Sequence, residues 1–203
     1  MTVSFPELRE QDVARDPLQQ FERWFAEASA AMPMAEAAAL ATADGAGRPS
    51  LRMVLIKGWS SQGFDFCSNY RSRKGEELAV NSSAALLFYW TAIGRQVRLE
   101  GLVDQLSGSE SDRYFANRPR ASQLSAVASA QSQTIGSRGE LDERVSSLER
   151  SLEGQLVVRP SWWGGYRLLP GSYEFWQHRD DRRHDRLRYL PEGLGWRVDR
   201  LQP

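Results

Sequence analysis

Apolar positions along this chain recur with two different periods, and the changes of period divide it into elements. From Asp16 to Met32, Leu18, Phe21, Trp24 and Phe25 return every three or four residues, which predicts a helix with one apolar face. Asp16 is placed to cap that helix and Pro17 to fill its first turn. The runs AALATAD and SLRMVLIKGW, parted by GAGRP, predict a hairpin, and GFDFCSN adds a short strand. SRKGEELAVN reads as a short helix. AALLFYW and RQVRLEGLVDQL follow as strands, the second alternating apolar and polar. Helical patterns return over 109–118, 121–129 and 140–152, and after Trp162 the runs WGGYRLL, SYEFW, RLRYL and GWRVDRL predict four strands.

Many short strands, with helices inserted rather than strictly alternating, predict a mainly β protein: an antiparallel barrel with peripheral helices in place of a doubly wound parallel sheet. Residues 1–15 read as a polar leading segment and 16–203 as one domain. A length of 203 residues suffices for a core of its own. Lys+Arg 26 balances Asp+Glu 26, so no overall field draws the chain toward nucleic acid or acidic membranes, and neither is an expected partner. Any anion site must be local. The single cysteine, Cys67, excludes an internal disulfide, and nothing at the N-terminus resembles a secretory leader, so the expected location is the cytoplasm. Apolar runs such as AALLFYW are far too short to span a bilayer.

The sequence has no GxGxxG after a strand, no GxxxxGK[ST], no HExxH, no paired CxxC and no GxSxG, and two histidines with one cysteine argue against a metal site. An anion would have to be held by side chains. If Ser72 caps its helix, Arg73 and Lys74 lie in the first turn, where the helix dipole disfavours cations. Either a phosphate or Glu76 and Glu77 must compensate them. Along LRMVLIK, alternation puts Arg52, Val54 and Ile56 on one face and Met53, Leu55 and Lys57 on the other, so each face carries a cation beside an apolar strip. Tyr114 and Arg118 share a helical face that Pro119 ends, with Ser122 just beyond. Together these make a phosphate clamp, although an arginine at a helix C-terminus also has the plainer role of complementing the dipole. Gln96 within a strand, and Gln131 with Ser132 after a helix, offer the amides and hydroxyls that a ring edge or polyol needs. From Trp176 to Arg186 the chain reads WQHRDDRRHDR, a charged stretch between strands that is either a solvated hairpin tip or an anion-facing wall.

Taken in order, RMVLIK, SNYRSRKGEEL, RQVRLEG, YFANRPRASQ, AQSQTIGSRGEL, WWGGYRL, EFW followed by RRHDRLRY, and the closing RLQP resemble the pyridoxine/pyridoxamine 5'-phosphate oxidases from about Asp16 to the end. The resemblance implies an FMN-binding split β-barrel and a homodimer with FMN across the subunit interface. It implies FMN contacts at Arg52, Met53, Val54, Leu55, Ile56, Lys57, Cys67, Ser68, Arg73, Lys74, Gln96, Gln131, Ser132, Trp176 and Arg186. Substrate contacts would be Lys57, Tyr114, Arg118 and Ser122 around a phosphate, with the catalytic pair Arg182 and His184 over the ring. The implied reaction passes a hydride from a small heteroaromatic substrate to FMN and on to O2, giving H2O2. Orientation of the substrate, more than proton transfer by His184, is the expected contribution of the protein.

Two departures from the family pattern bear on the substrate. Family members carry an N-terminal Arg-x-x-Tyr segment that closes over the site, and counting back from Asp16 and Pro17 puts Val3 where that tyrosine would fall. A glycine-rich turn after Phe-Trp-Gln is replaced by His178, Arg179, Asp180 and Asp181, and Arg183 stands where an apolar residue is common. A lidless pocket admits a larger ligand, as in the phenazine-biosynthesis oxidases. That sister branch has the same fold and FMN, also lacks the lid, and carries a Phe-Pro-Glu like Phe5, Pro6 and Glu7. Because the residues of the phosphate clamp are all present, oxidation of pyridoxine or pyridoxamine 5'-phosphate ranks first and oxidation of reduced phenazine carboxylate precursors second. A non-catalytic flavin-binding module is the alternative from another class.

Overall fold

The computed structural model describes residues 5–203; Val3 lies outside them. In chain order the elements are α1 (Pro17–Ala31), β1 (Ala37–Ala43), β2 (Pro49–Ser60), β3 (Gly63–Asn69), α2 (Arg73–Val80), β4 (Ser83–Trp90) and a 3-10 turn (Thr91–Ile93). They continue with β5 (Arg95–Gln105), α3 (Gly108–Ala116), α4 (Arg120–Ala128), α5 (Arg138–Ser151), β6 (Trp163–Gln177), β7 (Asp185–Glu192) and β8 (Gly195–Arg200). The strand order is β3-β2-β1-β4-β5-β6-β7-β8, and β6 also pairs with β3. Six antiparallel strands therefore close into a barrel, while β7 and β8 extend the sheet past the closure. This is the antiparallel barrel that the strand pattern predicts and the split barrel that the resemblance implies.

The start signals act as read. Asp16 accepts a hydrogen bond from the Leu18 N–H, and Ser72 caps α2 through the Gly75 N–H. Two predicted boundaries are corrected. WGGYRLL and SYEFW form one continuous strand, β6, because Pro170 and Gly171 are absorbed by a register shift opposite Glu100 and Gly101 instead of opening a turn. Gly101 has to be glycine there, since a Cβ would lie 1.9 Å from the Leu169 carbonyl oxygen. The helix predicted over 109–118 ends at Ala116, so Arg118 is not on its face but in the link between α3 and α4. Pro119 disfavours helical backbone in the residue before it.

α1 turns Phe21 and Trp24 onto the barrel, where Phe21 lies 4.9 Å from Phe64 and 5.0 Å from Phe88 between ring centres. Leu8 and Ala14, ahead of α1, are buried too. A second apolar cluster, of Phe115, Leu124, Val157 and Trp163, joins α3 and α4 to the barrel beneath Cys67 and Tyr114. Among the described residues no helix is long and apolar enough to cross a membrane.

Candidate functional site

Strand β2 alternates as its sequence predicts: Arg52, Val54 and Ile56 face inward while Leu51, Met53, Leu55 and Lys57 are exposed. Its pairing with β3 shifts between Ile56 and Gly58, which makes Lys57 the extra residue of a bulge and re-aims its side chain. Beside this bulge, two adjoining clefts of about 360 and 270 Å³ share Cys67, Ser68, Arg118 and Gln131 in their walls. Met53, Val54, Leu55, Lys57, Lys74 and Ser122 complete the larger cleft. Ten of the residues singled out in the sequence thus meet in one place, from β2, β3, α2, the link between α3 and α4, α4 and the turn after it.

The electrostatics behind this cleft answer the question posed by Arg73 and Lys74. Arg73 is compensated within the chain: its Nε donates to Glu77 at 2.9 Å, while its backbone N–H donates to the Ser132 hydroxyl. Arg52 also reaches Glu77, at 3.2 Å, and donates to Thr42 and Ser50. Burial would push the Glu77 carboxyl up, but hydrogen bonds from Ser50, Thr42, Arg73 and Arg52 outweigh it and hold the group at about 2. Among the described residues Lys74 has no such partner. The residue is 8% exposed, and its ammonium donates to the hydroxyls of Ser68 and Ser72 and to the Gln131 carbonyl, at 3.0 to 3.1 Å. Burial, reinforced by Arg52 and opposed by Glu77, pushes it down to about 8.

Arg118 is also held by groups that leave its charge unanswered. It donates to the Ser122 carbonyl at 3.0 Å and lies over the Trp163 ring, while its Nε is buried without a partner. Burial lowers its pKa. Tyr114 does not line either cleft; its hydroxyl donates to Asp65 at 2.9 Å. Ile56 is buried in the barrel core and does not line the cleft.

The remaining candidates form a second group. Gln96, Trp176 and Arg186 are cross-strand partners in one row over β5, β6 and β7. Arg186 donates to Glu174 at 2.7 Å and to the Gln202 carbonyl at 2.8 Å, so the closing residues 201–203 help to fix it. At the β6–β7 tip His184 lies 4.5 Å from the Trp176 ring and accepts the Arg179 N–H on Nδ1 at 3.1 Å. That bond leaves the ring proton on Nε2, and burial, helped by the nearby His178, lowers the pKa of the imidazole. Arg182, at φ 60°, occupies the left-handed region that costs a residue with a side chain energy. Most other charges of this tip pair among themselves: Arg183 with Asp181, His178 with Asp180 and Arg179 with Asp185. Among the described residues no carboxylate pairs with Arg182.

The two groups do not meet in one chain. Gln96, Trp176 and Arg186 line neither cleft, and along the row through β1, β4 and β5 Leu55 on β2 lies four strands from Trp176 on β6. Sequence reasoning missed Glu77 as the shared anchor of two arginines. It also missed the Asp65–Arg167 pair behind Tyr114, at 2.7 and 2.8 Å, although an aspartate amid the apolar run of β3 was a visible signal.

Comparison with known proteins gives these positions a context. The pattern described as pyridoxamine 5'-phosphate oxidase matches residues 25–149, and that described as the pyridoxine 5'-phosphate oxidase C-terminal dimerisation region matches 163–203. A pyridoxine/pyridoxamine 5'-phosphate oxidase of Rubrobacter xylanophilus is 53% identical over 97% of this chain and 91% of its own length. Among solved structures, PhzG from Burkholderia lata 383 in complex with tetrahydrophenazine-1-carboxylic acid is 34% identical, with a TM-score of 0.91 over 99% of this chain and 100% of that one. A pyridoxamine 5'-phosphate oxidase-related, FMN binding protein from Nostoc punctiforme shares the fold at 15% identity, with a TM-score of 0.73 over 94% of this chain and 100% of its own. The chain belongs to the pyridoxine/pyridoxamine 5'-phosphate oxidase family, of which the phenazine-branch protein is a more distant member.

Proposed function

We propose that the chain works as a homodimeric, FMN-dependent oxidase of pyridoxine or pyridoxamine 5'-phosphate, with each site assembled from the cleft of one protomer and the β5–β7 row of its partner. The observation that carries this reading is the pair of unanswered cations at one cleft. Among the described residues Lys74 is buried without a carboxylate, and Arg118 keeps a buried Nε without any partner. Burying a charge without a counter-charge is costly, so a fold that keeps two such groups is built for an anion that arrives later. Two phosphoryl groups fit: Lys74, Arg73, Ser68, Gln131 and Ser132 around that of FMN, and Lys57, Arg118 and Ser122 around that of the substrate.

Bound FMN would supply the two-electron acceptor, taking a hydride from C4' of the substrate, with dioxygen removing the electrons as hydrogen peroxide. The residues of the chain bind and orient. Lys57 and Arg118 would fix the substrate by its phosphate, and Trp176, Gln96 and Arg186 would form the partner's wall against the flavin. His184, neutral with its proton on Nε2, is suited to donate a hydrogen bond to the substrate ring rather than to remove a proton. The dimer is supported by the 163–203 match, which contains Trp176, Arg182, His184 and Arg186, and by the exposed apolar strip of Leu51, Met53 and Leu55.

A second reading, oxidation of a reduced phenazine carboxylate, is favoured by the likeness to PhzG and disfavoured by the cations of the clamp. Oxygen uptake and peroxide release, measured side by side with pyridoxine 5'-phosphate, pyridoxamine 5'-phosphate and a dihydrophenazine carboxylate, separate the two. Turnover of the phosphates is expected. Turnover of the phenazine alone would reverse the ranking, and a flavin-loaded protein inert toward all three would favour the non-catalytic binder.

A further inference from the structure

His178 has no part in the site described above, although its ring packs against two residues that do. The centre of its imidazole lies 5.3 Å from that of His184 and 6.0 Å from the Trp176 indole, while His184 and Trp176 are 4.5 Å apart. Three rings therefore share one corner, at separations where aromatic pairs attract. His178 is anchored at its root. Its backbone N–H donates to the Gly94 carbonyl at 2.8 Å, and the side-chain amide of the preceding Gln177 donates to the same oxygen at 3.1 Å. Phe5 packs against His178 as well: its ring meets the imidazole edge-on at 5.9 Å and lies over Gly94, where a Cβ would come within 2.5 Å of it. Arg179 ties the same segment down by donating to the Phe5 carbonyl at 3.2 Å.

A histidine that must present one ring nitrogen is often oriented by a carboxylate on the other. Among the described residues His184 has none. Its Nδ1 accepts the Arg179 N–H, and the carboxylates of the tip are engaged elsewhere: Asp180 with His178 at 3.4 Å, Asp181 with Arg183, and Asp185 with Arg200 and the Leu8 N–H. One hydrogen bond at Nδ1 lets the ring tilt about that contact, so the second restraint has to come from packing. Trp176 and His178 are the two rings that supply it. We propose that His178 is a positioning residue for His184: its ring holds the imidazole against Trp176 and leaves the Nε2–H to be donated to the substrate. His178 acts through His184, whose part is that of the function proposed above, on which this role rests. The stretch that replaces the family's glycine-rich turn thus begins with a residue that braces the site, and Phe5 links the leading segment to the same brace.

The chain contains two histidines, so protein made with isotope-labelled histidine gives two imidazole spin systems by NMR, and His178→Ala assigns them. His178 is half-buried and outside the barrel core, so its truncation leaves the fold in place. In the FMN-loaded parent the His184 ring should show a nuclear Overhauser effect to the Trp176 indole, and its nitrogens should report the tautomer protonated on Nε2. His178→Ala is expected to weaken that effect and to mix the tautomers. It should also lower kcat for pyridoxamine 5'-phosphate roughly tenfold, the scale of a group held slightly out of place, with the Kd for FMN unchanged. His178→Phe keeps a ring without an ionisable group, and should restore kcat to within about twofold of the parent. A ring contact that His178→Ala leaves unchanged overturns the proposal, as does an unchanged kcat in a protein whose parent is active. A loss that His178→Phe fails to restore overturns it too, since the effect would then belong to the charge of His178 and not to its ring. If His178→Ala releases the His184 ring while the parent turns over neither phosphate, the positioning of His184 stands and the function proposed above falls. If the parent turns over the phosphates and neither readout responds to His178, the reverse holds.

Discussion

The two halves of the candidate site hold their cations by opposite means. In the β2–β3–α2 cleft, Lys74 is buried and Arg118 half-buried among hydroxyls, an amide and a carbonyl, and among the described residues no carboxylate pairs with either. On the β5–β7 face, Arg186 is tied to Glu174 and Arg98 to the same carboxylate, which leaves a flat wall whose distinctive member is the indole of Trp176. Under the proposed function the first half would meet charge and the second the face and edge of a ring. Each lacks what the other offers, and no residue of the row lines either cleft.

The sharpest way to break that comparison is to disable one half in each of two chains. Lys74→Met damages the cleft and Trp176→Ala the row, and each variant alone is expected to lose most oxidase activity. Co-expressed under separate tags, the two should regain about a quarter of parental turnover, because half of the dimers are mixed and each mixed dimer holds one site with both halves intact. A mixture no more active than the separate variants would mean that both halves serve the same protomer.

Within the cleft, the phosphoryl assignments separate by which ligand is lost. Arg118→Ala should raise KM for the phosphorylated substrate by about 2 kcal/mol, roughly 30-fold, while leaving the Kd for FMN unchanged. Lys74→Met should do the reverse, weakening FMN by a similar amount and riboflavin hardly at all, as read by quenching of flavin fluorescence. An Arg118→Ala protein with parental KM would remove the substrate clamp from the account.

Much of this was legible because it is local. Period-two spacing placed Arg52, Val54 and Ile56 together, and Ser72 and Asp16 announced helix starts that the fold uses. The barrel followed from the number and brevity of the strands. What escaped was set by partners distant in sequence: Glu77 anchors Arg52 from 25 residues away, and Arg167 holds Asp65 from 102 away. The bulge at Lys57 depends on how β2 meets β3, and the continuity of β6 depends on the room that Gly101 leaves opposite Leu169. Neither can be read from its own strand. Family resemblance named Tyr114 as a substrate contact, but only the geometry revealed where its proton goes.

The smallest expected effect is also the most specific to the buried half. Lys74 is pushed down to about 8, whereas an unfolded lysine keeps its proton to about 10.5. Between those two values the unfolded chain binds more protons than the flavin-free folded one, so the stability of the flavin-free protein should rise with pH across that window. FMN binding has the opposite dependence. A phosphate beside Lys74 favours the charged ammonium, so binding takes up a proton above pH 8, and the Kd for FMN should weaken with increasing pH by at most about tenfold per unit. Below about pH 7 Lys74 is charged whether or not FMN is bound, and this dependence vanishes. The β5–β7 row contains no buried lysine, so Lys74→Met should flatten the alkaline slope while Trp176→Ala leaves it intact. Calorimetric titration of FMN in two buffers of different ionisation enthalpy reads the proton uptake directly. A parental Kd that stays level from about pH 7 to about pH 9.5 would mean that the Lys74 ammonium does not meet the phosphate.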